Sequence, residues 1–266
     1  MNFPNQFRLP REVSATMSAY ARLVDDKLPE RIRGLYLAGS VALDDYQPGR
    51  SDIDFVAVSD TALQPSELEK LRQVHTELRR TMPDPKLDGV YLTWPALAAA
   101  PVGLSVPYCL RGQFEAKGDF AVNPVTWCML HRHPLPLRGP VKPVVRHDDQ
   151  MLREWCRESL RSYWGSWVRS ARGYGVHRLF SLSRELTVWG ILGVARPHAT
   201  IRTGDMISKT AAGAYALDVF PSRWSAIVRE ALAGRCGSGR SSYYNIFARR
   251  RDALAFMEYV ISDALR

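Results

Sequence analysis

The sequence lacks the features of a membrane protein, a secreted protein or a zinc-binding protein. No apolar run approaches the roughly 20 residues of a membrane-spanning helix, and no basic and apolar signal peptide follows Met1. The four cysteines, at positions 109, 128, 156 and 236, are scattered without a Cys-x-x-Cys pair. This usage favours a reducing compartment and argues against a zinc site. We therefore expect a cytoplasmic globular protein without a membrane segment or internal repeats.

Positive charge is concentrated in the C-terminal part of the chain. The 266 residues, 46% of them apolar, suffice for one large domain or two modest ones. Residues 1–150 contain 18 Lys and Arg against 18 Asp and Glu, whereas residues 151–266 contain 18 against 9. Such a surplus of positive charge can neutralise a triphosphate or bind along nucleic acid. Scattered arginines on helices are also an ordinary solvated surface.

Two aspartates, Asp52 and Asp54, open an apolar run that follows a Gly-Ser pair, Gly39-Ser40, with eleven residues between. In a strand, side chains at i and i+2 point to the same face. Two adjacent carboxylates repel unless a cation lies between them, and Mg²⁺ binds one or two carboxylates together with substrate phosphates. A hairpin with two solvated aspartates is the alternative. The preceding Gly-Ser pair favours a metal and phosphate site.

Further residues could complete that site. Gly39 allows the backbone to approach a ligand, and Ser40 offers a hydroxyl and an N–H to phosphate oxygens. Asp88 begins another strand-like run, Leu87–Leu92, and could bind metal or accept a proton from an attacking hydroxyl. An ordinary aspartate at a strand edge is an equally good interpretation of Asp88 alone.

The periodicity predicts two domains, residues 1–145 and 146–266, joined by a polar, proline-containing segment. The first should be mixed α/β and the second helical. Predicted strands are Gly34–Ala38, Ile53–Val58, Leu87–Leu92, Ser105–Phe114 and Leu135–Leu137. Predicted helices of the first domain are Arg11–Pro29, a short one from Ser40, Ser66–Thr81 with Ser66 as N-cap, and Asn123–His131. Predicted helices of the second are Asp149–Arg169, Val176–Leu192, Ser208–Val219, Arg223–Ala233 and Ser242–Leu265, with Pro197 and Pro221 between helices.

The motifs resemble those of the nucleotidyltransferase superfamily, which includes DNA polymerase beta. The resemblance is carried by Gly39-Ser40, Ser51-Asp52-Ile53-Asp54 and Asp88. Leu182-Ser183-Arg184 and Ile207-Ser208-Lys209 are similar to a C-terminal motif of a narrower group, the streptomycin/spectinomycin adenylyltransferases. The implied fold is a polymerase-beta-like nucleotidyltransferase domain with a mixed sheet, followed by a C-terminal helical bundle that completes the ATP and acceptor site.

The resemblance also implies how ATP is held. Asp52 and Asp54, with Asp88, would bind two Mg²⁺ ions. Arg184 and Lys209, the single lysine of residues 151–266, would reach the phosphates. The triphosphate would contact Gly39, Ser40 and Ser51. For the two cations, the alternative is an ordinary position on a helix surface.

On the acceptor side, the resemblance implies three residues. Trp127 would stack on a sugar or aminocyclitol ring, although a core tryptophan is the alternative. His177 lies seven residues before Arg184, on one helical face with it, and matches a histidine that contacts the acceptor. Tyr174 stands where an acidic residue that contacts the aminoglycoside is expected, and Asp88 stands where the relatives carry Glu.

The expected function is a Mg²⁺-dependent transfer of AMP from ATP to a hydroxyl of an aminoglycoside or aminocyclitol, such as spectinomycin or streptomycin, with release of pyrophosphate. A monomer is expected, without a nucleic-acid partner. Two alternatives remain open. One is a nucleotidyltransferase that acts on another metabolite, a protein or an RNA end, which Tyr174 and the net charge of +9 favour. The other is a nucleotide-binding module without transfer.

Overall fold

A computed structural model describes residues 9–173, 182–237 and 239–266. The chain divides into two compact units, Met1–Asp148 and Asp149–Arg266. The boundary lies three residues beyond the one predicted from the sequence. The first unit is mixed α/β and the second is helical in its described part, which confirms the predicted fold class.

Six strands form one mixed sheet in the first unit, in the order β5-β4-β3-β2-β1-β6. The two central strands, β2 and β3, pair in parallel, whereas the other four neighbouring pairs are antiparallel. The strands are β1 (Gly34–Leu37), β2 (Ile53–Ser59), β3 (Leu87–Thr93), β4 (Val106–Leu110), β5 (Gln113–Gly118) and β6 (Leu135–Arg138). As predicted, the last strand lies at an edge of the sheet.

The prediction of a single strand over Ser105–Phe114 is wrong. The segment turns back at Arg111 and Gly112, which have φ values of 51° and 74°, and Leu110 pairs with Gln113 across the turn. A two-residue hairpin requires such left-handed conformations because they match the twist of the flanking strands. The glycine was a usable turn signal, but an arginine at the other turn position concealed it.

The first unit contains five helices in its described part, and the helices α1 and α3 cover one face of the sheet while α4 and α5 cover the other. The N-cap predicted for α3 is wrong by two residues, because Gln64, not Ser66, occupies that position. Gln64 and Glu67 form a capping box, and Pro65 occupies the first turn. The helices are α1 (Arg11–Lys27), α2 (Gly39–Ala42), α3 (Pro65–Thr81), α4 (Trp94–Leu97) and α5 (Pro124–Arg132).

A buried polar network crosses the core between α1, α3 and β3. His75 Nε2 lies 2.6 Å from Tyr91 Oη, and Tyr91 Oη lies 2.8 Å from Tyr20 Oη. The other ring nitrogen of His75, Nδ1, lies 3.3 Å from Cys109 Sγ. Burial lowers the pKa of His75 to about 3, so the imidazole is neutral in the folded protein at pH 7.

This network should make the stability of the protein depend on pH. An unfolded histidine has a pKa of about 6.5. Below that pH, the histidine of the unfolded chain is protonated. In the folded protein, His75 becomes protonated only near pH 3. Between pH 7 and 5, the free energy of unfolding of the wild type should therefore fall by about 2 kcal/mol more than that of His75→Gln. Urea unfolding at both pH values tests this, with His131→Gln at an exposed histidine as control. An equal fall in the wild type and His75→Gln would contradict it.

The second unit is built around α8, which packs against α6, α9, α10 and α11. Pro197 lies inside α8, contrary to the prediction, and the helix ends only at Gly204, which has a φ of 77°. Proline lacks the N–H of one helix hydrogen bond. The burial of neighbouring residues, including Val194 and His198, offsets the stability lost with that bond. The helices are α6 (Asp149–Ser159), α7 (Gly165–Arg172), α8 (Arg184–Thr203), α9 (Lys209–Val219), α10 (Ser225–Arg235) and α11 (Ile246–Ala264).

The first and last helical segments of the second unit lie close to their predicted positions. The π-helical turn Leu160–Trp164 joins α6 to α7, so the predicted helix over Asp149–Arg169 is essentially continuous. The last helix begins at Ile246, with Asn245 as N-cap, rather than at Ser242. Among the helices that the structure describes, none is long and apolar enough to span a membrane.

Candidate active site

Gly39 is required by the backbone and by its contact with Asp54. It follows β1 with a φ of +56°, a conformation that disfavours side chains. The preceding residue, Ala38, donates its N–H to the Asp54 carbonyl at 2.9 Å. A Cβ atom added at Gly39 would overlap the Asp54 carboxylate. The glycine therefore lets the turn lie directly against one of the predicted metal ligands.

Hydrogen bonds organise the loop that leads from the glycine turn to the aspartates. The Ser40 carbonyl accepts from Asp45 N at 2.8 Å, and the Gln47 carbonyl accepts from Ser51 N at 2.9 Å. Ser51 Oγ accepts from Gln47 N at 3.1 Å. Ser51 therefore closes a turn that ends immediately before Asp52. Its predicted contact with a triphosphate, like that of Ser40, stays a prediction.

The three predicted carboxylates lie at one end of the central strands. Asp52 is exposed and precedes β2, whereas Asp54 and Asp88 are half-buried second residues of β2 and β3. Asp54 and Asp88 are direct partners in the parallel register. Neighbouring strands lie about 4.8 Å apart, and alternation directs both side chains to the face that carries Val56 and Val90. The fold therefore brings the three acids together.

The surroundings of Asp88 affect its protonation. Burial raises its pKa, the backbone N–H of Arg111 lowers it, and the charge of Asp52 raises it, with a net increase. Arg111 N donates to Asp88 Oδ1 at 2.5 Å from the tip of the β4–β5 hairpin. The hairpin that the sequence prediction missed thus supplies the hydrogen bond that orients this carboxylate.

The carboxylates of the cluster suit Mg²⁺ only when substrate phosphates supply further ligands. Among the described residues, no group of three or more His, Cys, Asp and Glu side chains forms a metal site by itself. Mg²⁺ usually takes one or two protein carboxylates and completes its shell with phosphates and water. The pair Asp52 and Asp54 fits this requirement, while Asp88 is engaged by Arg111. The binding of two ions stays a prediction.

A tyrosine near the aspartates was missed by the sequence analysis. Tyr46 Oη donates to Glu12 Oε1 at 2.5 Å, which connects the loop to α1. Burial raises the pKa of Tyr46 above its usual range, and Glu12 and Asp52 add to the effect. Glu12 lies 34 residues away in sequence, so spacing gave no signal for this contact. The pair supports the loop that carries Asp52.

The two predicted cations of the second unit begin helices in the same way. Arg184 follows the N-cap Ser183, whose Oγ accepts from Leu186 N at 3.0 Å. Lys209 follows the N-cap Ser208, whose Oγ accepts from Ala211 N at 3.2 Å. The helix dipole disfavours a cation at an N-terminus by about 0.3–1 kcal/mol. For Arg184, the carboxylate of Glu230 offsets this cost, because it accepts from Arg184 Nε at 2.9 Å.

Trp127 is a core residue in this structure. Its side chain is 1% exposed and packs with Tyr36, Val56 and Leu130 beneath the sheet. Its indole Nε1 donates to the Ala99 carbonyl at 2.9 Å. The ring has no open face for an acceptor, so the structure assigns it the role of a core tryptophan instead of the predicted stacking role. The apolar neighbours on α5 were the available signal.

Truncation of Trp127 should therefore affect stability more than acceptor recognition. Trp127→Ala should lower the free energy of unfolding by about 3–5 kcal/mol, because it removes a fully buried ring. Trp127→Phe should lower it less. Chemical denaturation measures both effects. A Trp127→Ala protein of wild-type stability would contradict the buried placement.

The remaining acceptor-side predictions cannot be placed. Tyr174 and His177 lie outside the described residues. Their roles stay predictions that rest on the resemblance alone.

Comparison with known families matches both units. The nucleotidyltransferase domain family matches residues 18–86, which contain Gly39, Ser40, Ser51, Asp52 and Asp54. The C-terminal domain family of the aminoglycoside adenylyltransferases matches residues 166–262. No curated protein matches the sequence.

One solved structure of similar fold is a spectinomycin adenyltransferase from Enterococcus faecialis, crystallised with ATP and spectinomycin. The TM-score is 0.63 at 14% sequence identity, and the match covers 92% of this chain and 99% of that one. Fold, carboxylate cluster and family matches together define a nucleotidyltransferase. Within that class, the two family matches support an enzyme that resembles the aminoglycoside adenylyltransferases.

Proposed function

We propose that the protein transfers AMP from Mg²⁺-bound ATP to a hydroxyl of an aminocyclitol or aminoglycoside such as spectinomycin or streptomycin. The observation that carries the proposal is the carboxylate cluster, in which Asp54 lies against Gly39 and pairs in register with Asp88. The family match of the second unit supports the acceptor class. So does the related fold that was solved with ATP and spectinomycin.

On the ATP side, Asp52 and Asp54 hold Mg²⁺, and the backbone at Gly39-Ser40 and the Ser51 turn bind the phosphates. When bound, the metal neutralises phosphate charge and stabilises the attacking and leaving oxygens. Asp54 cannot swing away from this position freely, because the Gly39 turn packs against its carboxylate. Arg184 and Lys209, the first residues of α8 and α9, bind the phosphates.

On the acceptor side, Asp88 accepts the proton of the attacking hydroxyl. Burial raises the pKa of this carboxyl, which favours proton acceptance, and the backbone N–H of Arg111 orients it. The acceptor oxygen bonds to the α-phosphorus, the bond between the α-phosphorus and its bridging oxygen breaks, and pyrophosphate leaves. Tyr174 and His177 contact the acceptor.

The proposal is tested by measuring pyrophosphate release from ATP and Mg²⁺ in the presence of single aminoglycosides and aminocyclitols. Release that requires both an acceptor and the divalent ion is expected with at least one compound. Mass spectrometry should find that compound heavier by one adenylyl group. Absence of release across the whole panel would reject the acceptor class.

A second candidate keeps the transfer and changes the acceptor to another metabolite, a protein or an RNA end. It is favoured by the surplus of basic over acidic residues in 151–266, 18 against 9. Salt-sensitive binding of tRNA, with a linear decrease of log affinity against log salt, would support this candidate. Binding of tRNA too weak to detect at low salt would remove the RNA acceptor.

A further inference from the structure

Glu230 is a buried acid in the most basic stretch of the second unit. It is the single acidic residue between Asp218 and Asp252, a stretch with seven arginines. It lies on α10 and is 1% exposed. A carboxylate so far from water needs several hydrogen bonds to remain ionised. The hydrogen-bond partners of the Glu230 carboxylate therefore show which side chains it holds in place.

The carboxylate of Glu230 joins three helices and a loop. Its Oε1 accepts from Arg184 Nε at 2.9 Å, at the first residue of α8. Its Oε2 accepts from Ser242 N at 2.9 Å and from Ser242 Oγ at 3.0 Å. Arg249 Nη1, on α11, lies 3.9 Å from Oε1. Burial raises the pKa of Glu230, but the hydrogen bonds from Ser241 and Ser242 and the charge of Arg184 outweigh it and hold the pKa low.

The guanidinium of Arg184 is held on two sides. Besides the bond from Nε to Glu230, its Nη1 donates to the Gly239 carbonyl at 2.9 Å. Arg249 is fixed in a similar way, by Ser241 Oγ at 3.2 Å and by the Leu182 carbonyl at 2.7 Å. The Leu182 carbonyl lies two residues before Arg184. The start of α8 is thus anchored by both its backbone and its first side chain.

The charges in this cluster do not balance. Two guanidiniums share one carboxylate. Arg184 Nη2 and Arg249 Nε are both buried, and in the described part of the chain neither has a hydrogen-bond partner. Arg249 is only 6% exposed. A surplus positive charge with unused N–H groups is stable when an anion binds beside it. The arrangement holds one arginine rigidly and leaves part of its donor capacity unused.

We propose that Glu230 is a positioning residue for ATP binding, which fixes the guanidinium of Arg184 in the orientation that receives a phosphate. This inference rests on the proposed function, because it assigns Arg184 to the triphosphate. Glu230 itself does not touch the nucleotide. It acts by holding Nε, so that Arg184 binds the phosphate without first losing side-chain freedom.

Isothermal titration with ATP and Mg²⁺, together with the KM for ATP, tests the inference in four proteins: wild type, Glu230→Gln, Arg184→Gln and the double variant. Glu230→Gln should weaken ATP binding roughly tenfold, since it removes a charge-assisted hydrogen bond. Its kcat should change less than about twofold, because ground state and transition state lose the same contact. In the Arg184→Gln background, Glu230→Gln should add less than about twofold.

The matched control is Glu258→Gln, which makes the same change at an exposed ion pair with Arg172 in the same unit. It should bind ATP like the wild type. If Glu230→Gln does not fold, Ser242→Ala removes the hydroxyl donor alone and should weaken ATP binding about threefold. Wild-type affinity in Glu230→Gln, or full additivity in the double variant, would reject the inference and leave the proposed function intact. A wild-type protein that binds no ATP would reject both.

Discussion

Asp52→Asn is expected to lower the kcat/KM of adenylyl transfer by at least about 100-fold. The carboxylate contributes to a metal site that supplies several kcal/mol of transition-state stabilisation, and about 1.4 kcal/mol corresponds to a factor of ten. Because Asp52 is exposed and its charge raises the pKa of Asp88, the substitution should leave the free energy of unfolding unchanged or slightly higher. The pyrophosphate assay and chemical denaturation measure the two quantities.

The matched control for this prediction is Asp60→Asn, which makes the same change immediately after the other end of β2. Asp60 is 60% exposed and pairs with Arg33 at 3.5 Å, away from the carboxylate cluster. Its kcat/KM should stay within about twofold of the wild type, since surface ion pairs contribute little. Equal activities of Asp52→Asn and Asp60→Asn would remove the metal mechanism.

Gly39→Ala is expected to reduce the activity by about 100-fold through displacement of Asp54. The added Cβ atom would overlap the Asp54 carboxylate, so the acid or the turn must shift. A displacement of about 1 Å at a catalytic group can cost a factor of 100. The positive φ of 56° adds a stability cost of about 1–2 kcal/mol. Kinetics and urea unfolding separate the two effects.

The control for Gly39 is Gly49→Ala in the same loop. Gly49 also has a positive φ, of 69°, but among the described residues no atom lies within 4 Å of a Cβ added there. Both variants should therefore lose about 1–2 kcal/mol of stability because of the positive φ. Only Gly39→Ala should lose further stability through the overlap, and only Gly39→Ala should lose activity. A fully active Gly39→Ala would show that Asp54 does not need the position seen in the structure.

Local sequence was sufficient to predict that Gly39, Asp52 and Asp54 lie together, because these residues are close in the chain. Gly39, Asp52 and Asp54 are contiguous features of one strand-loop-strand unit, and strand alternation predicts the shared face of the two acids. Asp88 was predictable only in part, because its register with Asp54 depends on which strands pair. Its bond to Arg111 depends on a hairpin that the sequence pattern concealed.

The errors of prediction arise where tertiary contacts override local signals. Pro197 suggested a helix end, yet buried neighbours on both sides keep α8 continuous. Ser66 looked like an N-cap, but the helix is capped two residues earlier by Gln64, which precedes Pro65 in the first turn. Trp127 was expected to stack on an acceptor ring, whereas its burial depends on residues far away in sequence, such as Tyr36.

Glu230 illustrates the same limit for the second unit. A lone acid among seven arginines was visible in the sequence, but its partners lie 12 and 46 residues away. Nothing in the spacing indicated which arginine it would hold. Distances in the folded protein were needed to connect Glu230 to Arg184, and through it to the phosphates in the proposed function.

The position of the transferred phosphorus tests the central claim most directly. Two reactions with an aminoglycoside acceptor, Mg²⁺ and ATP labelled at either the α- or the γ-phosphorus separate adenylyl transfer from phosphoryl transfer. The account predicts that the α-label appears on the acceptor and the γ-label in pyrophosphate, and that Asp52→Asn transfers neither. The γ-label on the acceptor, or transfer that survives Asp52→Asn, would contradict it.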